Sequence, residues 1–370
     1  MIHRSSPFLR ATLTLIGTII GAGVFALPIA MDRVGILTGS VVYWLLVFAV
    51  LAAHLLYVEV ILAKPSLSKK RMPGQAGEVL GPWAQRITFI TQPLHIIGAC
   101  LIYLILGGEF LSVIGEALGV NLSLLSWQLL FWIGSSVVVM YGLKVIVKVE
   151  TVLTWLLILT LLALSIVYGI DGDGARFLQA DWSSAFLVVG AFLFSTFGIM
   201  VIPEIVDVCE RKADRTRLVV SLATLVSAFF MWVFAVFTAS AIPGIRTASE
   251  LAHALPAGLF WLLPLVGFLA VATSFLTQVQ DLRATFERDA KMSKWVSFAL
   301  AIGAPILLLL FLTRDFLSTV GFVGGVLSSV TAITVALMAV KLKRAVPMAI
   351  VVAVVFLLAL IHGILFSVHL

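Results

Sequence analysis

Charged side chains are scarce in this sequence. Asp, Glu, Lys and Arg make up 11% of its 370 residues, whereas soluble domains carry about 25%. Hydrophobic residues account for 62% of the chain, and a water-soluble fold could not hide that much apolar surface. The composition therefore excludes a soluble globular domain. It predicts an all-α integral membrane protein, because helices satisfy their own backbone hydrogen bonds in lipid.

Cysteines and catalytic clusters are also scarce. Cys100 lies in an apolar run and Cys209 in a polar loop, so no disulfide is expected. The chain has no His-x-x-x-His, paired-Asp or Ser/Lys arrangement of the kind a polytopic membrane enzyme needs. Its net charge of +6 is spread over several loops, which argues against a nucleic-acid partner. We therefore expect neither enzymatic activity nor a cofactor.

Long apolar runs dominate what is present. A bilayer core of about 30 Å requires roughly 20 apolar residues per helix, and runs of this length predict eleven transmembrane spans. Together they form one transmembrane domain over 1–370. The segment 73–86 is too polar to span, and is either an interfacial amphipathic turn or an ordinary loop. Spans one to eleven are predicted at 11–31, 36–63, 88–115, 124–143, 150–170, 183–204, 216–242, 256–281, 294–312, 316–340 and 346–368.

Basic residues fall almost entirely on one side when the spans alternate across the membrane. Of the 24 Lys and Arg residues, only Arg33, Arg176, Arg246 and Arg314 fall on the far side, which leaves 20 on the side of the N-terminus. Loops rich in Lys and Arg stay cytoplasmic. We therefore expect a multi-pass protein of the plasma (inner) membrane, with a cytoplasmic N-terminus and an extracytoplasmic C-terminus.

Two spans carry helix-breaking residues in matching positions. Span one contains GTIIGAGVFALP and span six contains FSTFGIMVIPE. Gly23 precedes Pro28 by five residues, as Gly198 precedes Pro203, and the two spans are five apart in the order. Such matched breaks are typical of secondary transporters built from inverted repeats, here 11–170 and 183–340 with 346–368 as an extra helix. The alternative is that these glycines only let helices pack closely.

Unwinding a helix within the membrane frees backbone groups that lipid cannot satisfy. The free amides that begin one half-helix suit a carboxylate, and the free carbonyls that end another suit an ammonium group. Discontinuous spans one and six therefore predict a site for the zwitterionic head of an α-amino acid. The pocket lacks an obvious charged side chain, which favours neutral substrates. A membrane enzyme and a channel are the alternative functions.

The string GTIIGAGVFALP resembles the amino acid/auxin permease family and the bacterial aromatic amino acid permeases, within the amino acid–polyamine–organocation superfamily. HLLYVEVILAKP, GEVLGPW, GGEFL and GFVGGVLSSV extend the resemblance over nearly the whole chain. It implies the five-plus-five inverted repeat of the sodium-coupled leucine transporter, the LeuT-like fold. It also implies alternating-access symport of amino acids, aromatic or large and apolar, with sodium or protons.

The resemblance also implies residue roles. Amides around Ala22 and Gly23 would hold the substrate carboxylate, and backbone oxygens around Ser195 its ammonium group. Phe197 would act as a gate. Tyr103 would touch the substrate, although a packing role is the alternative. The full set of expected substrate residues is Gly21, Ala22, Gly23, Val24, Tyr103, Phe194, Ser195, Thr196, Phe197 and Gly198.

The coupling ion is expected to be sodium. In sodium-coupled relatives a Thr-Ser pair, here Thr273 and Ser274, combines with backbone carbonyls, and a hard cation prefers such oxygen ligands. The hydroxyls could instead bond to their own helix. Span five has no basic residue to replace sodium, while Glu109 in span three keeps proton coupling open. The expected sodium ligands are Gly17, Ile20, Ala270, Thr273 and Ser274.

Other ionisable residues are given simpler roles. His54, Glu59 and His95 are expected near the cytoplasmic ends of their helices, where side chains reach the interface. Glu204 and Asp281 are expected to line an inner vestibule. The partners of the chain are then a small amino acid and membrane lipid, and the sequence does not define an oligomeric state.

Overall fold

The computed structural model describes residues 7–141, 146–255, 260–288, 291–311 and 315–368. Within these ranges the chain is helical and no strand occurs. Eight described helices are long and apolar enough to cross a membrane, and the bent pair in span one adds a ninth. Shorter apolar stretches of two further helices, Leu124–Met140 and Trp155–Asp171, occupy predicted spans four and five. The all-α membrane architecture is thus confirmed, while the count of eleven stays a prediction.

Helices follow the predicted spans closely, with several ends longer than expected. Of the predicted spans, 142–143, 256–259 and 312 lie outside the described residues. In order, the α-helices are Pro7–Ile19, Ala26–Val34, Ile36–Ala63, Met72–Leu80, Pro82–Ala117, Leu124–Tyr141, Ile146–Asp171, Val189–Thr196, Ile202–Val208, Ala213–Ala241, Ala248–His253, Leu262–Arg288, Lys294–Phe311, Phe316–Phe322, Ser329–Lys341 and Val346–Val368.

The polar segment before span three is a short helix and not an ordinary loop. It runs over Met72–Leu80 and ends at Gly81, whose φ of 102° lies in the region that favours glycine. Pro82 then begins span three, since proline is well tolerated in the first turn of a helix. Span three therefore starts six residues earlier than the predicted residue 88.

Ion pairs distinguish the two ends of the helix bundle. Arg71 pairs with Asp281 at the end where span two finishes, which we call the basic end. Asp32 pairs with Arg176 where span two begins, which we call the opposite end. Arg217 and Glu59, 2.6 Å apart, also lie at the basic end.

This division agrees with the sorting of basic residues along the sequence, since Arg71 and Arg217 fall in its larger group and Arg176 in its smaller one. Arg4, Lys144 and Arg314, which also entered the sorting, lie outside the described residues. The orientation of the bundle in the membrane stays a prediction.

Span three and the first half of span six lie in the interior. In span three, 89% of the most apolar stretch is buried. Span six touches span ten through its backbone, because a Cβ at Gly324 would overlap the carbonyl oxygen of Gly190. At this crossing span ten is wound as a π-helix over Val323–Ser328, a geometry often found near functional sites. The break in span six is thus held inside the protein and not against lipid.

Candidate functional site

Span one is interrupted between Ile19 and Ala26. Gly21 is extended, with φ −114° and ψ −152°, and a 3-10 turn follows over Ala22–Phe25. The helix resumes at Ala26, and the two halves are bent by 46°. The two glycines in this stretch, Gly21 and Gly23, lower the helix propensity of the chain where the regular helix stops.

Two backbone amides are left free at this break. Val24 N–H donates to Gly21 O at 3.2 Å, and Ile20 and Gly21 N–H also have backbone acceptors. Among the described residues no acceptor bonds to the N–H of Ala22 or of Gly23. Adjacent free amides at the start of a helical segment form a site for an anion.

Span six is interrupted after Thr196. The helix Val189–Thr196 ends there, Phe197 is extended with ψ 96°, and a 3-10 turn begins at Ile199. The carbonyls of the last helical turn, including that of Ser195, have no partner within the helix because the helix stops. Free carbonyls at a helix end carry partial negative charge, which suits a cation.

The two breaks touch each other. Ser195 Oγ lies 2.7 Å from Gly23 O and 2.7 Å from Ala191 O, so its proton is shared between these acceptors. A Cβ at Gly23 would lie 2.5 Å from Ser195 Cα, closer than real side chains approach. Only glycine therefore fits at position 23. The close contact with span six requires a glycine there, in addition to the unwinding of span one.

His54 completes the hydrogen bonding of the span-six break. Gly198 N–H donates to His54 Nε2 at 3.2 Å, and His54 Nδ1 lies 3.0 Å from Thr224 Oγ1. Since Nε2 accepts, the neutral ring carries its proton on Nδ1 and donates it to Thr224. His54 is 0% exposed, so the expectation that it reaches the membrane interface is wrong.

The position of His54 in the sequence did contain a signal for this role. It stands in a long apolar run in the interior of span two, more than two turns from either end of the helix. An ionisable residue there, unlike one at a helix end, needs a partner inside the protein.

A cavity of about 90 Å³ lies between the two breaks and span three. It brings together Gly21, Ala22, Gly23, Tyr103, Phe194, Phe197 and Gly198.

The other three expected substrate residues do not line this cavity. Val24 is 0% exposed, Ser195 is turned to Gly23, and the Thr196 hydroxyl donates to Phe192 O at 2.8 Å. His95 and Gln278, for which the sequence pattern predicts no substrate contact, are also part of its wall.

A larger cavity, about 530 Å³, continues from the small one toward the basic end. Glu204 and Asp281 line it as expected, and Asp281 pairs there with Arg71. On the other side of the site, the buried rings of Phe25 and Phe110 meet edge to face with centroids 5.0 Å apart. The candidate site is therefore open to the basic end and closed to the opposite end.

The expected sodium ligands are only partly brought together. Gly17 and Ser274 line the larger cavity, whereas Ile20 and Ala270 do not. Thr273 Oγ1 lies 3.0 Å from both Leu269 O and Ala270 O, so its proton is donated within its own helix. Bonding within its own helix is the alternative to sodium binding for Thr273, although a hydroxyl that donates its proton keeps lone pairs for a cation.

Glu109, the residue that keeps proton coupling open, lies away from both cavities. Its Oε2 accepts from the N–H of Ala248 at 2.9 Å and of Ser249 at 3.3 Å. It thereby fixes the short helix Ala248–His253 at the opposite end. In the described part of the chain, no group of three or more His, Cys, Asp or Glu residues could hold a metal ion.

Comparisons with known proteins agree with this geometry. The model of the tryptophan/tyrosine permease family matches residues 4–368. Glutamine transporter 2 of Aliivibrio fischeri is 23% identical over 332 residues, which cover 86% of this chain and 84% of that protein. The crystal structure of MhsT in complex with L-phenylalanine superposes with a TM-score of 0.68 at 16% identity, over 98% of this chain and 99% of the other.

The predicted LeuT-like fold is thus confirmed, as is the expectation of a transporter and not an enzyme. The family match spans nearly the whole chain, well beyond the strings around the two breaks. This protein belongs to the tryptophan/tyrosine permease family of amino acid transporters.

Proposed function

We propose that this permease is an ion-coupled symporter for neutral amino acids with aromatic or large apolar side chains. The observation that carries the proposal is the pair of breaks around one cavity, with free amides at Ala22 and Gly23 and the ending carbonyls of helix Val189–Thr196. Together they offer a carboxylate site and an ammonium site without a charged side chain at either. This arrangement suits the head group that all α-amino acids share.

The walls of the cavity support the side-chain class. Phe194, Phe197 and Tyr103 line it, and aromatic rings pack well against aromatic or large apolar groups. The name of the family refers to tryptophan and tyrosine, and MhsT was crystallised with L-phenylalanine. Because one relative is named a glutamine transporter, amino acids with a polar but neutral side chain are the main competing class of substrate.

The asymmetry of the two ends supports an alternating-access mechanism. The site communicates with the basic end through the larger cavity and is closed toward the opposite end by Phe25 and Phe110. We assign the basic end to the cytoplasm, because Lys- and Arg-rich loops stay there. The structure then corresponds to an inward-facing state, and the matching breaks belong to the inverted repeats 11–170 and 183–340.

We assign sodium as the coupling ion. Gly17 and Ser274 line the same cavity, and Thr273 adjoins Ser274 on a helix facing span one. Carbonyl and hydroxyl oxygens are the ligands that a hard cation prefers. The second candidate is the proton, favoured by the carboxylate of Glu109 buried in span three.

The test is uptake by purified protein in liposomes. We expect saturable uptake of labelled tryptophan, tyrosine or phenylalanine, driven by an inward sodium gradient and not by a pH gradient alone. Continuous ion flux without saturable uptake would identify a channel and refute the transporter proposal. Uptake driven only by the pH gradient would replace sodium by the proton.

The sodium site has its own variant. Thr273→Ala removes one hydroxyl ligand, and we expect the sodium concentration for half-maximal uptake to rise roughly tenfold, as loss of about 1.4 kcal/mol of ion binding would produce. Thr277→Ala is the matched control, because its hydroxyl bonds to Thr273 O one turn along the same helix. Equal sodium dependence in both variants would return Thr273 to helix packing.

A further inference from the structure

Two imidazoles flank the ring of Phe197 at the same distance. The centroids of His54 and His95 each lie 6.2 Å from that of Phe197, one on span two and the other on span three. Both nitrogens of His54 are bonded, to Gly198 and to Thr224. His95 Nδ1 is buried with no partner, and no described residue bonds to the other nitrogen of that ring.

An unpartnered buried nitrogen destabilises a fold, and native proteins satisfy nearly all such groups. His95 stands in the wall of the cavity between the two breaks. Nδ1 itself has no accessible surface, whereas the unpartnered Nε2 keeps some, so Nε2 is the nitrogen that a group entering this cavity can reach. The partner of His95 is therefore to be sought in the transported molecule.

The other polar side chains around the small cavity already have partners. Thr18 donates to Thr14 O, and Asp281 pairs with Arg71. The Tyr103 hydroxyl interacts with Ser274 and Gln278. Among the described residues, His95 is then the polar side chain of this cavity wall that has no hydrogen-bond partner.

The position of His95 separates it from the proposed carboxylate site. A Cβ at Gly21 would lie 4.0 Å from the hydroxyl of Tyr103, so that end of the cavity is next to the free amides. His95 precedes Tyr103 by eight residues, about two helical turns nearer the basic end, and packs against Phe197. A substrate whose carboxylate binds the amides would extend its side chain toward His95.

We propose that His95 is a specificity-determining residue, which selects substrates whose side chain ends in a hydrogen-bonding atom. A neutral imidazole offers one donor and one acceptor, so it can bond a phenol hydroxyl, an indole N–H or a side-chain amide. Phenylalanine and leucine leave it unsatisfied. This inference rests on the proposed function and redefines its substrate class as neutral amino acids with a polar tip, which includes tyrosine, tryptophan and the competing glutamine.

The experiment compares tyrosine with phenylalanine, which differ by one hydroxyl. The ratio of their kcat/KM values is measured in liposomes for the unmodified protein, His95→Phe and His95→Gln. We expect a preference for tyrosine of about tenfold or more, as one buried hydrogen bond provides. His95→Phe should remove this preference while phenylalanine uptake continues, and His95→Gln, which still hydrogen-bonds, should keep most of it. The ratio of kcat/KM values for glutamine and norleucine tests the same preference for a side-chain amide, because norleucine is unbranched and of similar length but lacks the polar tip.

Each result decides the inference. An unmodified protein that does not prefer the polar-tipped member of either pair overturns it, as does an unchanged ratio in His95→Phe. If both variants lose uptake, the increases in melting temperature that tyrosine and phenylalanine produce are compared in place of kcat/KM. Tyrosine should then raise the melting temperature more than phenylalanine in the unmodified protein and in His95→Gln, but not in His95→Phe. If the unmodified protein takes up no amino acid at all, the proposed function itself fails.

Discussion

The two breaks look alike in the sequence but are stabilised in opposite ways. In span one the break depends on a side chain that is missing, because Gly23 brings its backbone against Ser195. In span six it depends on a side chain that is present, because His54 accepts from the N–H of Gly198. A matched glycine-to-proline spacing therefore indicates where helices unwind, and does not indicate what holds the unwound chain.

The difference has a consequence for the site. Span one keeps the N–H groups of Ala22 and Gly23 free, whereas the amide of Gly198 in span six is already bonded. We therefore place the proposed anion site at span one, where two adjacent free amides begin a helical segment, and the proposed ammonium site at the carbonyls that end helix Val189–Thr196.

The largest effect is expected from Gly23→Ala. The added Cβ would lie 2.5 Å from Ser195 Cα, so the two breaks must move apart. Overpacking of this kind costs about 1–3 kcal/mol, and the displaced amides should lower uptake at least tenfold. Uptake in liposomes and the melting temperature of the purified protein are the measurements.

Gly21→Ala is the matched control for stability. Its Cβ would have no neighbour closer than 3.9 Å, and Gly21 has an extended backbone that any residue adopts. Its melting temperature should stay near that of the unmodified protein. If Gly21→Ala and Gly23→Ala lower the melting temperature equally, flexibility and not close contact explains these glycines.

His54→Leu should have the next largest effect. It leaves the buried N–H of Gly198 without an acceptor, at a cost of about 1–3 kcal/mol. We expect faster hydrogen exchange at Gly198 and weaker substrate binding. His54→Gln should recover part of both, since its side-chain oxygen can accept the same bond. Identical exchange in His54→Leu and His54→Gln would mean that the imidazole only fills space.

Ser195→Ala should have the smallest effect of the three. It removes the hydroxyl between the breaks, but Ala26 N–H still donates to Gly23 O. A loss of about 0.5–1.5 kcal/mol in stability is expected, with uptake reduced less than in Gly23→Ala. A loss as large as that of Gly23→Ala would show that the hydroxyl, and not the close fit, joins the two breaks.

Local pattern was sufficient for some features and insufficient for others. Runs of apolar residues predicted the helices, since lipid imposes a nearly constant length on each span. The apolar run around His54 indicates that this side chain needs a partner inside the protein, but not that Gly198 and Thr224 on other spans supply it. The segment 73–86 is too polar to span, and Pro82 nevertheless begins span three within it.

The sequence by itself determined the membrane class, the helices and the two places where they unwind, because these depend on local hydrophobicity and on glycine and proline. Only the tertiary structure decided which groups meet. It places Gly23 in contact with Ser195 and gives both nitrogens of His54 a hydrogen-bond partner. It leaves His95 without a partner in the wall of the cavity. Such pairings join residues far apart in the chain, and side-chain satisfaction depends on packing that no periodicity encodes.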